Sequence, residues 1–438
     1  MNMKKVYIKT LGCQINEYDS YIISNLLRKY LNILEVNDIN NADICILNTC
    51  SIREKAEEKV FSELGLWRKI KKEKNIIICL GGCVPVIRGK DIYKKVPFVD
   101  IIFGPSSLYK LPEMINKVIN SGTKVYDISI DNIKKFNHVF EENNTLDISS
   151  SLTIIEGCDK YCSYCVVPYS RGYEKSRSFN SIISEIYVLA IQGVKDITLL
   201  GQNVSSYNGV MDNNDSCNLS LLLTYINGIN GIERIKFISS HPIDFVDDLF
   251  KSYVKNHKLS NHLHLPLQSG SDKILNLMNR EYDTKSYMKI IETLNNIRPN
   301  MTISTDIIVG FPGETDKDFE YTYNFIEKIG FDMSFVYLYS KRPGTFSYNL
   351  KDDIELNIKK KRLFLLNKLF TKNSKRITES MIGTVQKVLV YKYENNNLIG
   401  KTDNNRTVVI CSEENYVGKM INVFIKDKSN FNLIGNLI

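Results

Sequence analysis

The stretch Glu156-Gly157-Cys158-Asp159-Lys160-Tyr161-Cys162-Ser163-Tyr164-Cys165-Val166-Val167-Pro168-Tyr169-Ser170-Arg171 decides how the rest of the chain reads. Its cysteines follow a C-x3-C-x2-C spacing, so one short loop can turn three thiolates toward one point. Three thiolates satisfy three irons of a cubane [4Fe–4S] cluster and leave the fourth iron without a protein ligand. A zinc site and a disulfide pair are the alternatives. Zinc normally takes four ligands at its own spacings, and no histidine lies within the loop. The apolar run Ser151–Ile155 lies just before the loop and reads as a strand. The thiolates therefore sit at the carboxyl end of that strand.

Downstream, five more apolar strand candidates alternate with helices: Asp196–Leu200, Arg234–Ser239, His262–Leu265, Thr302–Val309 and Asp332–Tyr339. Periodic βα units with a metal loop after the first strand predict a barrel or partial barrel, whose sites lie at the carboxyl ends of strands. The cysteine loop resembles the signature of radical S-adenosylmethionine (SAM) enzymes. The resemblance implies a partial (β/α)6 barrel, a cluster on Cys158, Cys162 and Cys165, and SAM bound at the open iron. It places the aromatic Tyr164 near the adenine, and Gln202 and Asn203 where the methionine amino group is usually bound. Polar residues at the other strand ends, Ser240, His264, Gln268 and Asp306, are further candidates for SAM. His241 and His264 read equally well as structural, hydrogen-bonded residues. No residue is assigned as a catalytic acid or base, since radical hydrogen abstraction needs none.

Upstream, about residues 1–120 alternate strand and helix. Lys5–Lys9, Asp43–Asn48 and Asn75–Leu80 read as strands, Asp19–Tyr30 as a helix, and Ser51-Ile-Arg-Glu54 as a capping box opening a second helix. That alternation predicts a doubly wound, parallel α/β sheet. Cys13, Cys50 and Cys83 each follow one of the strands, so all three fall on the sheet's carboxyl edge, where open α/β sheets bind ligands. Cys45 and Cys79 lie within apolar strands and read as core. Residues 121–147 are polar and read as a connection. Arg171–Arg177, and Arg53 and Lys55 in the second helix, are basic elements able to meet phosphate. Asn208–Asn218 reads as a polar insertion whose Cys217 is incidental.

After a helical segment, Leu356–Lys375, the last 60 or so residues alternate apolar and polar between turns, at Gly383–Lys392, Leu398–Thr402, Arg406–Cys411 and Lys419–Lys426. They predict a small antiparallel β-barrel of about five strands. It resembles the TRAM domain, an OB-like RNA-binding module. Lys387, Tyr391, Lys392 and Tyr393 interleave charge and rings in a way that suits base stacking. The chain has 438 residues, 43% hydrophobic and 24% charged, with ten cysteines and a net charge of +8. That is the composition of a globular protein of about three domains, compatible with a polyanionic partner. No run is apolar enough to span a bilayer, and the N-terminus reads into a strand rather than a signal peptide, so a cytoplasmic location is expected. Cysteines in a reducing compartment are expected as metal ligands or core.

Thr10-Leu-Gly-Cys13-Gln-Ile-Asn16, Asn48-Thr-Cys50-Ser-Ile-Arg-Glu-Lys-Ala-Glu-Glu-Lys59 and Gly81-Gly-Cys83-Val84 resemble the N-terminal domain of the methylthiotransferases. In that family the three cysteines hold an auxiliary [4Fe–4S] cluster, again with an open iron. The family usually continues with Ala-Gln after the third cysteine, where this chain has Val84-Pro85, which puts the local contacts of that turn in doubt. The resemblance implies domains at 3–120, 144–374 and 377–438, two [4Fe–4S] clusters and SAM. It implies tRNA as partner, together with a flavodoxin- or ferredoxin-like electron donor and a sulfur donor. The form Asn48-Thr-Cys50-Ser-Ile-Arg-Glu54 resembles the branch acting on isopentenylated adenosine 37 beside the anticodon. In that branch one SAM methylates a sulfur at the auxiliary cluster, and a second yields the radical that opens the C2–H bond of the base. Other branches act on threonylcarbamoyl-adenosine or a ribosomal-protein aspartate, and a non-enzymatic iron–sulfur RNA-binding protein is a further alternative.

Overall fold

A computed structural model describes residues 3–51, 54–130 and 147–438. The first body comprises β1 (Lys5–Leu11), α1 (Gln14–Leu31), β2 (Leu34–Glu35), β3 (Ile44–Thr49), α2 (Glu54–Glu73), β4 (Ile77–Gly82), α3 (Cys83–Arg88), α4 (Ile92–Lys95), β5 (Ile101–Phe103), α5 (Leu111–Ser121) and β6 (Val125–Asp127). Its six strands pair in the order β2-β1-β3-β4-β5-β6, all parallel. β3 is buried along its whole length and β4 nearly so, because helices cover both faces, which is why both read as continuous apolar runs. Cys45 and Cys79 are fully buried there, as core residues. The chain reverses direction across the sheet between β1 and β3, and such a switch point opens a crevice at the carboxyl ends of its strands. The connection expected over 121–147 contains β6, an edge strand too short to show a pattern. Its residues 131–146 lie outside those described, as do Ile52 and Arg53 of the expected capping box.

The central body holds β7 (Ser149–Thr153), β8 (Ile155–Glu156), α6 (Val167–Arg171), β9 (Lys175–Ser176), α7 (Phe179–Ile191), β10 (Asp196–Leu200), β11 (Asn208–Val210), β12 (Ser216–Asn218), α8 (Leu219–Asn227), β13 (Arg234–Phe237), α9 (Asp247–Lys255), β14 (His262–His264), α10 (Asp272–Leu277), α11 (Thr284–Ile297), β15 (Thr302–Ser304), β16 (Asp306–Val309), α12 (Asp316–Ile329), β17 (Phe335–Leu338) and α13 (Leu356–Ser380). β13, β10 and β7 form one parallel sheet. The fifth barrel strand is broken at Thr305: β15 pairs with β14, and β16 pairs with β17. Thr305 closes the gap by accepting from the Leu267 amide at 2.8 Å and donating to the Leu265 carbonyl at 2.9 Å. Bridges at Ile235–Leu259 and Gln268–Ile307 link the pieces into an open, six-stranded partial barrel. Cys217 is not incidental: the β11–β12 hairpin buries it completely in the main core.

α1 packs against β7, and one apolar core runs from Ile15, Tyr18 and Ile22 into Leu152, Ile154 and Ile186. The two bodies thus share an interior. The last strands, β18 (Val385–Glu394), β19 (Asn397–Thr402), β20 (Thr407–Cys411), β21 (Met420–Ser429) and β22 (Asn432–Leu437), close into a barrel in the order β18-β19-β20-β22-β21. All its pairs are antiparallel except β20–β22, which is parallel. This small barrel docks on the amino-terminal ends of the central strands. Tyr391 hydrogen-bonds Asp196 at the start of β10, Arg234 at the start of β13 pairs with Asp403 at 2.9 Å, and Arg406 pairs with the buried Asp332. Tyr391, expected as a stacking ring, is therefore used in domain docking. Among the described residues no helix is long and apolar enough to cross a membrane.

Candidate metal centres

The carboxyl edge of the first sheet brings Cys13, Cys50 and Cys83 to one crevice. Cys13 caps α1, Cys50 follows β3, and Cys83 begins α3 immediately after β4. Cys13 hydrogen-bonds Cys50, which is the main reason its thiol is held down at about 6. Burial pushes the Cys83 thiol up. Two amides hold the crevice in shape. Asn16 donates to the Asn48 side chain at 3.4 Å and to the Thr49 carbonyl at 3.3 Å, while Asn48 donates to the Asn16 carbonyl at 2.9 Å and the Ser20 hydroxyl at 3.0 Å. The loops after β1 and β3 are thereby locked to each other. Both asparagines stand within the quoted motifs, but their types alone do not reveal this role. Gly82 lies at φ +96°, and a Cβ there would meet the Thr49 carbonyl oxygen at 2.1 Å. Only glycine lets β4 pass that close to β3 and still turn Cys83 into the crevice.

The second set stands at the carboxyl end of the first barrel strand. Gly157, at φ +83°, precedes Cys158, and a Cβ there would strike the Tyr173 carbonyl oxygen at 2.0 Å. Burial pushes the Cys158 and Cys165 thiols up to about 12. Such thiols stay protonated until a metal displaces the proton. Among the described residues no three His, Cys, Asp or Glu side chains are gathered as ligands of one metal ion. A cubane needs a different arrangement, because each thiolate binds a different iron. Arg280 supplies a second sign of fit. It is buried and donates to the Cys162 sulfur at 3.3 Å, to the Pro266 carbonyl at 3.1 Å and to the Tyr282 hydroxyl at 3.0 Å. None of these partners is an acid, and an anionic thiolate set is what a buried guanidinium beside Cys162 requires.

The remaining candidates surround the barrel mouth. Tyr164 packs edge-on against Phe311, with ring centroids 6.4 Å apart. The Gln202 amide oxygen accepts from the Gly157 amide at 2.7 Å, and so fixes the cysteine loop. Asn203 donates to Asp244 at 2.7 Å and accepts from the His241 amide at 3.0 Å. His264 bridges Ser304 at 2.9 Å and Asp306 at 3.2 Å. Gln268 adopts φ +69° and pairs its backbone with Asp306 and Ile308. Ser240 Oγ, His241 Nε2 and Asp306 Oδ1 are buried without partners. Three orphaned polar atoms, two just after the third strand and one at the break in the fifth, fit a polar ligand such as SAM. Burial, with Arg280 and Lys160 nearby, holds the His241 imidazole well below its usual range, so it is neutral.

The two centres face each other across α6, one short helix. It starts two residues after Cys165 and ends at Arg171, packed on α3 of the first body. From Val167 to Arg171 the helix rises roughly 6 Å. Arg171 hydrogen-bonds Cys83, and pairs with Glu156 and, at 2.8 Å, with Asp19 of α1. Arg177 is also buried, on Glu185 and Tyr18. Both arginines were expected as phosphate partners, but both are consumed by the interface between the bodies. Arg53 and the side chain of Lys55 lie outside the described residues.

Residues 5–104 match the model of Uncharacterized protein family UPF0004, and residues 152–326 match that of the Radical SAM superfamily. The chain is 48% identical over 440 residues to a tRNA-2-methylthio-N(6)-dimethylallyladenosine synthase of Legionella pneumophila (strain Corby), covering 100% of this chain and 98% of the relative. It is 46% identical over 444 residues to the protein of the same name from Ruthia magnifica subsp. Calyptogena magnifica, with 100% of both chains covered. In fold it is similar to the radical S-adenosylmethionine methyltransferase TsrM from Kitasatospora setae, at TM-score 0.56 and 11% identity over 79% of this chain and 75% of that one. It is also similar to the cobalamin-dependent S-adenosylmethionine radical enzyme OxsB, at TM-score 0.52 and 14% identity over 85% of this chain and 56% of that one.

Proposed function

This chain belongs to the family of the tRNA-2-methylthio-N(6)-dimethylallyladenosine synthases, and from that premise we propose how its residues serve the reaction. It is a radical SAM methylthiotransferase that converts N6-isopentenyladenosine at position 37 of tRNA into the 2-methylthio derivative, using SAM and two [4Fe–4S] clusters. Cys158, Cys162 and Cys165 hold the cluster that binds SAM, and Cys13, Cys50 and Cys83 hold the other. When bound, these groups supply the radical that removes the C2 hydrogen and the methylthio sulfur that replaces it. The observation that carries this reading is the juxtaposition of two cysteine sets from different bodies across α6.

Carbon 2 of adenine carries a C–H bond that no side chain can deprotonate near neutral pH, so the protein's work is to orient and to exclude water. Ser240, His241 and Asp306 offer unpartnered polar atoms to the amino, carboxyl and hydroxyl groups of SAM. Gln202 and Asn203 hold the loops around that ligand. Tyr164, with Gln268 and His264, lines the mouth. The base leaves the anticodon loop to reach the space between the centres. Domains at 3–120, 144–374 and 377–438 divide the labour. The C-terminal barrel sits at the amino ends of the central strands, so an anticodon arm held by it runs along the outside of the central barrel to the mouth. A flavodoxin- or ferredoxin-like protein donates the electron, a separate donor renews the sulfur, and the reaction takes place in the cytoplasm.

The test is a reaction of anaerobically reconstituted protein with SAM, dithionite and isopentenylated tRNA, followed by mass spectrometry of the nucleosides. A 2-methylthio product supports the reading. Formation of 5′-deoxyadenosine with unmodified tRNA, both clusters being loaded, refutes the substrate. No SAM cleavage by fully loaded protein leaves a non-enzymatic iron–sulfur RNA-binding protein.

A further inference from the structure

Each cysteine set has a buried arginine against one of its sulfurs, and the two arginines differ in one respect. Arg171, beside Cys83, is flanked by two buried carboxylates, Asp19 and Glu156. Its charge is therefore set against two carboxylates. Arg280, beside Cys162, makes all its hydrogen bonds to a sulfur, a carbonyl and a phenol, and the Tyr282 ring lies against its guanidinium at 5.1 Å. Among the described residues no carboxylate forms a salt bridge with it. Three acids lie around the neighbouring Lys160: Asp244 holds that lysine at 2.9 Å, Glu174 accepts from Asn203 at 3.3 Å, and Glu281 acts on the same lysine. Arg280 therefore presents an uncancelled charge, buried and fixed by three contacts, to the Cys162 sulfur.

We propose that Arg280 is a positioning residue that sets the reduction potential of the cluster on Cys158, Cys162 and Cys165, raising it above that of the cluster on Cys13, Cys50 and Cys83. The inference rests on the assignment of those cysteines given above. Reduction adds one electron, and one negative charge, to a cluster. Potentials of iron–sulfur clusters follow net charge, hydrogen bonds to the sulfurs and solvent exposure. An uncancelled guanidinium donating to Cys162 favours the reduced state at that site. Arg171 at the other site is shared with the carboxylates of Asp19 and Glu156. A one-electron donor then loads the cluster that must deliver the electron to SAM and leaves the sulfur-bearing one oxidised.

The experiment is a redox titration followed by electron paramagnetic resonance, with dithionite as reductant. It is run on the full chain with both clusters and on a Cys13→Ala/Cys50→Ala/Cys83→Ala form that assigns the signals. The higher of the two midpoints is expected to belong to the cluster that survives in the triple variant. Arg280→Gln lowers that midpoint by about 59 mV or more, an about tenfold change in a one-electron equilibrium, while Arg280→Lys, which keeps the charge, stays within about twofold of the unaltered protein. If both variants load iron and neither moves the midpoint, or if the lysine form falls as far as the glutamine form, the inference is overturned. Should the glutamine form take up no iron, the lysine form decides: an unmoved midpoint supports the inference and a tenfold fall overturns it. A triple variant that loads no cluster refutes the ligand assignment itself, an outcome distinct from a loaded cluster whose potential ignores Arg280.

Discussion

Replacing Arg171 by methionine removes the cation that joins the first body to the second. In the native chain Arg171 is 3% exposed, Asp19 2% and Glu156 0%. Methionine fills a similar volume but takes away the guanidinium that pairs with both buried carboxylates. Breaking a buried ion pair from one side costs about 3–5 kcal/mol, most of it the expense of the stranded charge. Removing the charges as well changes the sign of the argument. In Arg171→Met/Asp19→Asn/Glu156→Gln no ion is stranded, so most of that loss is expected to return. The assay is chemical denaturation of metal-free protein at neutral pH, monitored by the fluorescence of Trp67, which is buried in the first body. Cluster loading would add its own stabilisation and is therefore left out. A single variant that loses less than about 1 kcal/mol, or a triple variant no better than the single, refutes the stranded-charge account.

Other outcomes follow from the same geometry. Cys50→Ala should keep SAM cleavage and lose methylthio transfer, whereas Cys162→Ala should lose both, as read by 5′-deoxyadenosine and nucleoside analysis; full product from Cys50→Ala would remove the first sheet from the chemistry. Gly82→Ala drives a Cβ into the Thr49 carbonyl and forces φ +96° on a residue with a side chain, so it should cost about 1–3 kcal/mol and lower the iron bound per chain from about eight toward four. Asp318 is buried, yet hydrogen bonds from Thr315, Lys273 and Ser271 hold its carboxyl below the usual carboxylate range. A depressed folded-state pKa stabilises above the unfolded value of about 3.9 and is lost as pH falls through the folded one. Asp318→Asn should therefore destabilise by about 1.5–3 kcal/mol at pH 7, with the difference shrinking below about pH 4; a difference independent of pH would show that the ionised form is not the stabilising one.

What could be read from the sequence and what could not divide along physical lines. Cys13, Cys50, Cys83 and Cys158 are legible because each comes just after a strand-like run, and the end of a run fixes where the next residue lies in the sheet, while Cys162 and Cys165 are legible from their spacing to Cys158. β2, β5 and β6, at two or three residues each, carry no period and were missed. β22 is within the expected count of about five barrel strands but has no stretch of its own in the sequence reading, although it closes the last barrel. The break at Thr305 is invisible in sequence because it depends on a hydroxyl bridging to Leu265 and Leu267 of the neighbouring strand. Arg171 and Arg177 were misread because a basic cluster in sequence looks solvated. The partner that settles Arg171, Asp19, lies 152 residues upstream. Arg280 had no signal of its own: a single arginine after a short helix is ordinary until a fold sets it against Cys162.

The placement of those arginines also bears on why the two bodies share a core. On the proposed assignment a methylthio group passes from one centre to a base whose hydrogen is removed at the other, and effective concentration in such a transfer depends on fixed separation. Were the first sheet tethered only by a linker, the distance between the cysteine sets would fluctuate. Here α1 contributes apolar residues to the barrel's own core, and on the same helix Asp19 grips Arg171, while Tyr18 meets Glu185 and Arg177. The arginine that reaches Cys83 also ends the helix that begins beside Cys165. A shift of the first body against the second therefore breaks buried ion pairs before it moves the cysteines apart. The small barrel at the other end is docked through buried polar contacts as well, at Asp332, Asp196 and Arg234. On the proposed function, the part left to adapt is then the tRNA loop, which would unstack one base to reach the centres.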